Sequence, residues 1–91
     1  MKLKVLFRKN LHMSHGKIAA QSVHAAIGLG CNDPMISVVV LGVSDKKYKE
    51  ITETKMPIYR VHDAGYTEVP PGTETCAAFY EEDESNVQTD T

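Results

Sequence analysis

Lys17, Gln21 and His24 stand at i, i+4 and i+7 of the run Met13–Gly30, so on a helix their side chains emerge along one narrow stripe. Lys17 lies close to the start of that helix, where the macrodipole disfavours a cation by about 0.3–1 kcal/mol. An anion there reverses the balance. Free backbone N–H groups, the small Gly16 that lets a ligand approach, and the Lys17 ammonium would together cradle a phosphate or a developing oxyanion. The plain alternative is a solvated lysine at a helix tip. His24 can contact a substrate or move a proton, although a histidine on an Ala-rich face is more often a core residue bonded to backbone, and that reading is preferred.

A second group lies downstream. Asp63-Ala64-Gly65 follows a strand directly, and the stretch from Tyr66 to Glu74 is rich in turn formers. A carboxylate at that junction can orient a lysine and a water, Gln21 can hold either by a hydrogen bond, and Thr67, Thr73 and Thr75 are donors for a ribose, a phosphate or a peptide backbone. Taken singly, each has an ordinary reading as a turn, helix-surface or strand residue. His12, His15 and His62 suggest a metal, but no Cys, Asp or Glu completes a recognisable ligand spacing, so no metal is expected.

The elements that must position these groups follow from pattern. Lys2–Arg8 reads as a first strand, and Lys9–His15 as a loop. Ser14 is a natural N-cap and Gly28 and Gly30 are stop signals for a helix that is apolar around its polar seam, a pattern predicting a mostly buried helix. After a turn at Cys31–Pro34, Met35–Val43 is so continuously apolar that it predicts a strand covered on both faces. Ser44-Asp45 caps a second, short and polar helix from Lys46 to about Thr54. Ile58–His62 alternates, with Ile58, Arg60 and His62 on one face and Tyr59 and Val61 on the other. Thr75–Glu81 is the last strand. The order predicts a single compact α/β domain, a mixed four-stranded sheet with packed helices over residues 1–82, followed by an acidic tail at 83–91 expected to be disordered.

With 91 residues, the chain buries only about 60–65% of its unfolded surface, so oligomerisation would help it. Its 42% hydrophobic and 24% charged residues exclude a largely disordered chain. Net charge is only −2, but Lys2, Lys4, Arg8, Lys9 and Lys17 precede the first acid, Asp33, whereas Glu81, Glu82, Asp83, Glu84 and Asp90 crowd the end. A basic surface around the first strand and helix suits a polyanionic partner; ordinary solvated faces are the alternative. Cys31 and Cys76 are too few and too far apart for a disulfide framework. No apolar run approaches the ~20 residues of a membrane span or forms a signal-peptide core, so a cytoplasmic protein is expected.

Gly16-Lys17-Ile18-Ala19-Ala20-Gln21 with Ser22–Ala26, and Asp63-Ala64-Gly65-Tyr66-Thr67 with Pro71-Gly72-Thr73-Glu74-Thr75, occur in this order on a helix and a loop. Together they resemble the peptidyl-tRNA hydrolase type 2 family, from Lys4 to about Glu81. The resemblance implies an α/β domain that cleaves the ester between a peptide and the 3′-terminal adenosine of tRNA without metal or cofactor. It implies Lys17, Gln21 and Asp63 as catalytic, and His15, Gly16, His24, Thr67, Thr73 and Thr75 as substrate-binding. Three features depart from the family pattern. His15 stands where a second lysine is usual, a helical segment before the second strand is reduced to Cys31–Pro34, and a polar tail takes the place of a closing helix. These trimmed elements leave two other readings open: a catalytically weak or inactive module binding a nucleic-acid end or a protein, and a homodimeric scaffold whose strand edge a second copy covers.

Overall fold

In the computed structural model, residues 1–65 and 68–82 are described; Thr67 and the tail at 83–91 lie outside them. Four strands and two helices follow one another as β1 (Lys2–Arg8), α1 (His15–Leu29), β2 (Ser37–Val43), α2 (Asp45–Thr52), β3 (Ile58–His62) and β4 (Glu74–Glu81), with a 3-10 turn at Lys9–Leu11. The sheet order is β2-β1-β4-β3. β1 pairs with β2 in parallel across the α1 crossover, and with β4 antiparallel, as β3 does, so the sheet is mixed as expected. The architecture is a single α/β domain.

Alternation along the central strands makes two thin cores. Leu3 and Val5 of β1, Cys76 and Ala78 of β4 and Val61 of β3 meet Ala25 of α1 on one face. Leu6, Ala77 and Phe79 meet Tyr48 of α2 on the other. Around a cavity of about 360 Å³ on the α2 side, the Tyr48 hydroxyl donates to Glu74 Oε2 at 2.6 Å, Arg60 donates to the same oxygen at 2.8 Å, and Arg8 pairs with Asp45 at 2.9 Å. Burial and the Glu74 carboxylate push the Tyr48 hydroxyl far up, so it stays a donor. Each charge meets an opposite one, and the cluster ties α2 to the sheet.

Two expectations from apolar content are corrected. β2 is not covered on both faces: it is the sheet's edge, with Val38 55%, Val40 42% and Leu41 44% exposed. α1 lies mainly on β4 and β3, the other end of the sheet. Nor is α1 mostly buried: only Gln21 and Ala25 are, while Val23 and Ile27 face outward. The polar seam packs inward at Gln21 because partners on β3 and β4 satisfy it, which burial of a polar group requires.

Candidate active site

α1 begins as predicted. Ser14 accepts the Lys17 N–H on its side chain, and Gly30 closes the helix at φ 89°, a left-handed conformation that glycine adopts without penalty. The start is also capped from a distance: the Glu68 carboxylate accepts the Ser14 N–H at 2.8 Å and its hydroxyl at 2.6 Å. A carboxylate of the protein thus sits at the cap of α1, on Ser14. The hydroxyl and N–H of Ser14 hold Glu68 below the usual glutamate range.

Asp63 leaves β3 into a loop folded back on it. Its N–H donates to Thr73 O and its carbonyl accepts from Gly72 N, both at 2.8 Å, which fixes the carboxylate beside α1. Lys17 Nζ stands 2.5 Å from Asp63 Oδ1, with side chains only 12% and 6% exposed. Asp63 Oδ2 accepts the Gly65 N–H at 2.7 Å. The Lys17 hydrogen bond above all, and then that N–H, hold Asp63 below the usual aspartate range against the opposing effect of burial. Gln21 Nε2 donates to Thr75 Oγ1 at 2.9 Å and reaches Asp63 Oδ1 at 3.4 Å.

The structure therefore joins Lys17, Gln21, Asp63 and Thr75 in one hydrogen-bonded group. Thr75 is wholly buried and its hydroxyl is 3.5 Å from Val61 O, so its contacts are internal. Thr73 donates its hydroxyl to Pro70 O at 2.7 Å and offers its carbonyl to Asp63. His15 and Gly16 are exposed in the first turn of α1, with open space where a Gly16 Cβ would lie. No three His, Cys, Asp or Glu side chains converge on a metal position among the described residues.

The pair opens into a cleft of about 600 Å³ between α1 and β3. Against the preferred sequence reading, His24 is no core residue: it is exposed and lines this cleft, because α1 turns its Ala25 side, and not the seam's distal end, onto the sheet. His62 shares the Glu74 carboxylate with Arg60, as alternation predicts, its Nε2 3.5 Å from Glu74 Oε1, and at the end of β3, past a register irregularity after Val61, it also lines the cleft. Tyr59 closes the far end. Its ring lies on α1 at Gly28, where any Cβ would run into Cε2 and Cδ2. Gly28 lies in the last turn of α1, where the missing side chain admits the ring. Sequence reading singled out neither Glu68 nor Tyr59; both act across long sequence separations that leave no local signal.

Comparison with known proteins points to one family. Residues 33–91 match the family model described as peptidyl-tRNA hydrolase PTH2. The peptidyl-tRNA hydrolase of Methanothermobacter thermautotrophicus is 32% identical over 102 aligned residues, covering 96% of this chain and 91% of the relative. That of Thermoplasma acidophilum is 34% identical, covering 94% and 89%, and that of Sulfolobus acidocaldarius 32%, covering 87% and 85%. The first alignment is longer than the 91-residue chain, so this chain is gapped within it. The helix bearing Lys17 and Gln21, the Asp63 loop it meets, and this similarity along nearly the whole chain place the protein in the peptidyl-tRNA hydrolase PTH2 family.

Proposed function

We propose that this chain hydrolyses the ester bond of peptidyl-tRNA, releasing peptide and free tRNA, with its own side chains and no metal or cofactor. The observation that carries the reading is the Lys17–Asp63 pair at the mouth of a cleft, in a chain of this family. Water attacks the ester carbonyl; the C–O bond to the ribose breaks, and the ribose oxygen leaves with a proton. In this reading the Lys17 ammonium, oriented by Asp63, faces the oxyanion. A carboxylate held below its usual range is a weak base, so Asp63 orients Lys17 and the water and does not act as a strong proton acceptor.

Gln21, bonded to Thr75, fixes Asp63 from below, and Thr73 fixes it through the backbone; both threonines are positioning residues in this reading. His15, Gly16 and His24 remain the substrate-facing groups, with Thr67 assigned from the motif alone. In this reading the protein acts on peptidyl-tRNA in the cytoplasm; no helix among the described residues is long and apolar enough to cross a membrane. The assembly in this reading is a homodimer paired through the exposed β2 edge.

The test is release of the blocked amino acid from N-acetyl-aminoacyl-tRNA, with unblocked aminoacyl-tRNA as control. Cleavage of the blocked substrate only, lost in Lys17→Ala, is the expected result, with tRNA binding weakening steeply as salt rises. Salt-sensitive binding without cleavage would overturn the hydrolase reading.

A further inference from the structure

The cleft has two unlike ends. One holds Lys17 and Asp63; the other is walled by Tyr59, Ile27 and Gly28, with the exposed His24 and His62 between. We propose that the Tyr59 end is a subsite for a purine base, the adenine of the nucleoside whose ester is cut, an assignment that rests on the hydrolase reading above.

Three observations lead there. The first is continuity: Gly28 lies at i+11 from Lys17, extending the same stripe, and at helical rise the two are about 16 Å apart, with His24 about 10 Å from Lys17. A nucleoside esterified beside Lys17 can lay its base along that length. The second is preorganisation. Tyr59 is 42% exposed, yet its ring rests on the helix backbone at Gly28, so a flat aromatic surface is presented without being ordered on binding. The third is the character of the wall. Ile27, 68% exposed, extends the apolar surface of the cleft beside the ring, and aromatic platforms take bases through their π-faces.

A planar ring could come from the base or from an aromatic side chain of the peptide. Adenine is constant in every molecule of a tRNA 3′ end and the peptide is not, so a rigid, prebuilt wall suits the base. The imidazoles of His24 and His62 add donors and acceptors for its edge.

The full chain is assayed with the N-acetyl-alanyl esters of adenosine and of uridine and the N-acetyl-phenylalanyl ester of adenosine. For Tyr59→Ala, KM for the adenosine esters should rise about tenfold, with kcat changing less than KM, since losing one stacked base weakens binding by that order. Tyr59→Phe, which keeps the ring, should recover most of the loss, and the uridine ester should respond least. A KM change that follows phenylalanine against alanine, irrespective of the base, would assign the wall to the peptide and overturn the proposal.

Titration of the 15N-labelled protein with adenosine 5′-monophosphate separates this proposal from the hydrolase reading. Shifts at Gly28, Tyr59 and Ala20 that vanish in Tyr59→Ala would support the subsite even if no ester were cleaved. Ester cleavage with no shift in this region would overturn the subsite and leave the hydrolase standing.

Discussion

Lys17 Nζ meets Asp63 Oδ1 at 2.5 Å across 46 residues of sequence, and together with the Glu68 cap on Ser14 this contact holds the start of α1 to the loop that leaves β3. Because each side chain fixes the other, their contributions to rate should not add. Lys17→Ala and Asp63→Asn are each expected to lower kcat about 10²- to 10³-fold, the range for losing one preorganised oxyanion donor, and the double variant should be little worse than either. Steady-state rates on N-acetyl-aminoacyl-tRNA, alongside circular dichroism to establish folding, check this; fully multiplicative losses would show that the two act separately.

The pH dependence follows from the same contacts. Asp63 lies below its ordinary 3.8, chiefly through Lys17, and Glu68 lies below its ordinary 4.5, chiefly through the Ser14 hydroxyl. A carboxyl whose folded pKa is lowered contributes stability that is complete above the ordinary value and drains away as pH falls through the lowered one. Thermal midpoints should therefore fall as pH drops below about 4.5, and neither group should add a slope near neutrality. Glu68→Gln should be less stable than the parent at neutral pH, and the gap should close on acidification. A gap that widens in acid would contradict the assignment of the Glu68 cap.

Much of this arrangement is written locally. Ser14 and Gly30 mark α1 because capping chemistry lies next to the helix it serves, and the Gly16–Gln21 and Asp63–Thr67 motifs point to the Lys17, Gln21 and Asp63 cluster. What stayed hidden depends on partners distant in sequence. Apolar content in α1 and β2 signals a tendency to leave water, but it cannot say which neighbour supplies the cover; α1 settles on β4 and β3, leaving Val38, Val40 and Ile27 exposed. The burial of Thr75 follows from the central position of β4, which alternation does not encode.

Thr75 offers a sharp test of positioning. Its hydroxyl is the close partner of the Gln21 amide at 2.9 Å, and the remaining contact, to Asp63, is 3.4 Å. Thr75→Val keeps the shape and removes the acceptor, leaving a buried amide poorly satisfied, a loss of about 1–3 kcal/mol. Activity should drop in kcat with KM nearly unchanged, because the substrate never reaches a side chain with no exposed surface. A rise in KM alone would mean that this hydroxyl meets the substrate.

Cys76 should be chemically silent. It is fully buried in β4 and burial pushes its thiol up to about 11, so almost none is thiolate near neutrality. Titration of the native protein with a thiol reagent at pH 8 should modify Cys31, which is part-exposed, and leave Cys76 until denaturant is added. Equal rates at both positions would show that the α1 side of the sheet opens readily.

The β2 edge carries the last prediction. Ser37–Val43 contains no charge, proline or bulge to discourage pairing, and Val38, Val40 and Leu41 are each more than two-fifths exposed, so a free edge of this kind invites a second strand. The same strand from a second copy, related by a two-fold axis, would extend the sheet and cover those side chains together. Light scattering should find a dimer whose dissociation is promoted by Val40→Lys, since a charge on this face repels its symmetry mate and needs water. Lys17 and Asp63 lie at the other end of the sheet order, against β3, so the variant should keep the parent's kcat as a monomer. A parent that stays monomeric at high concentration would rule out pairing through β2.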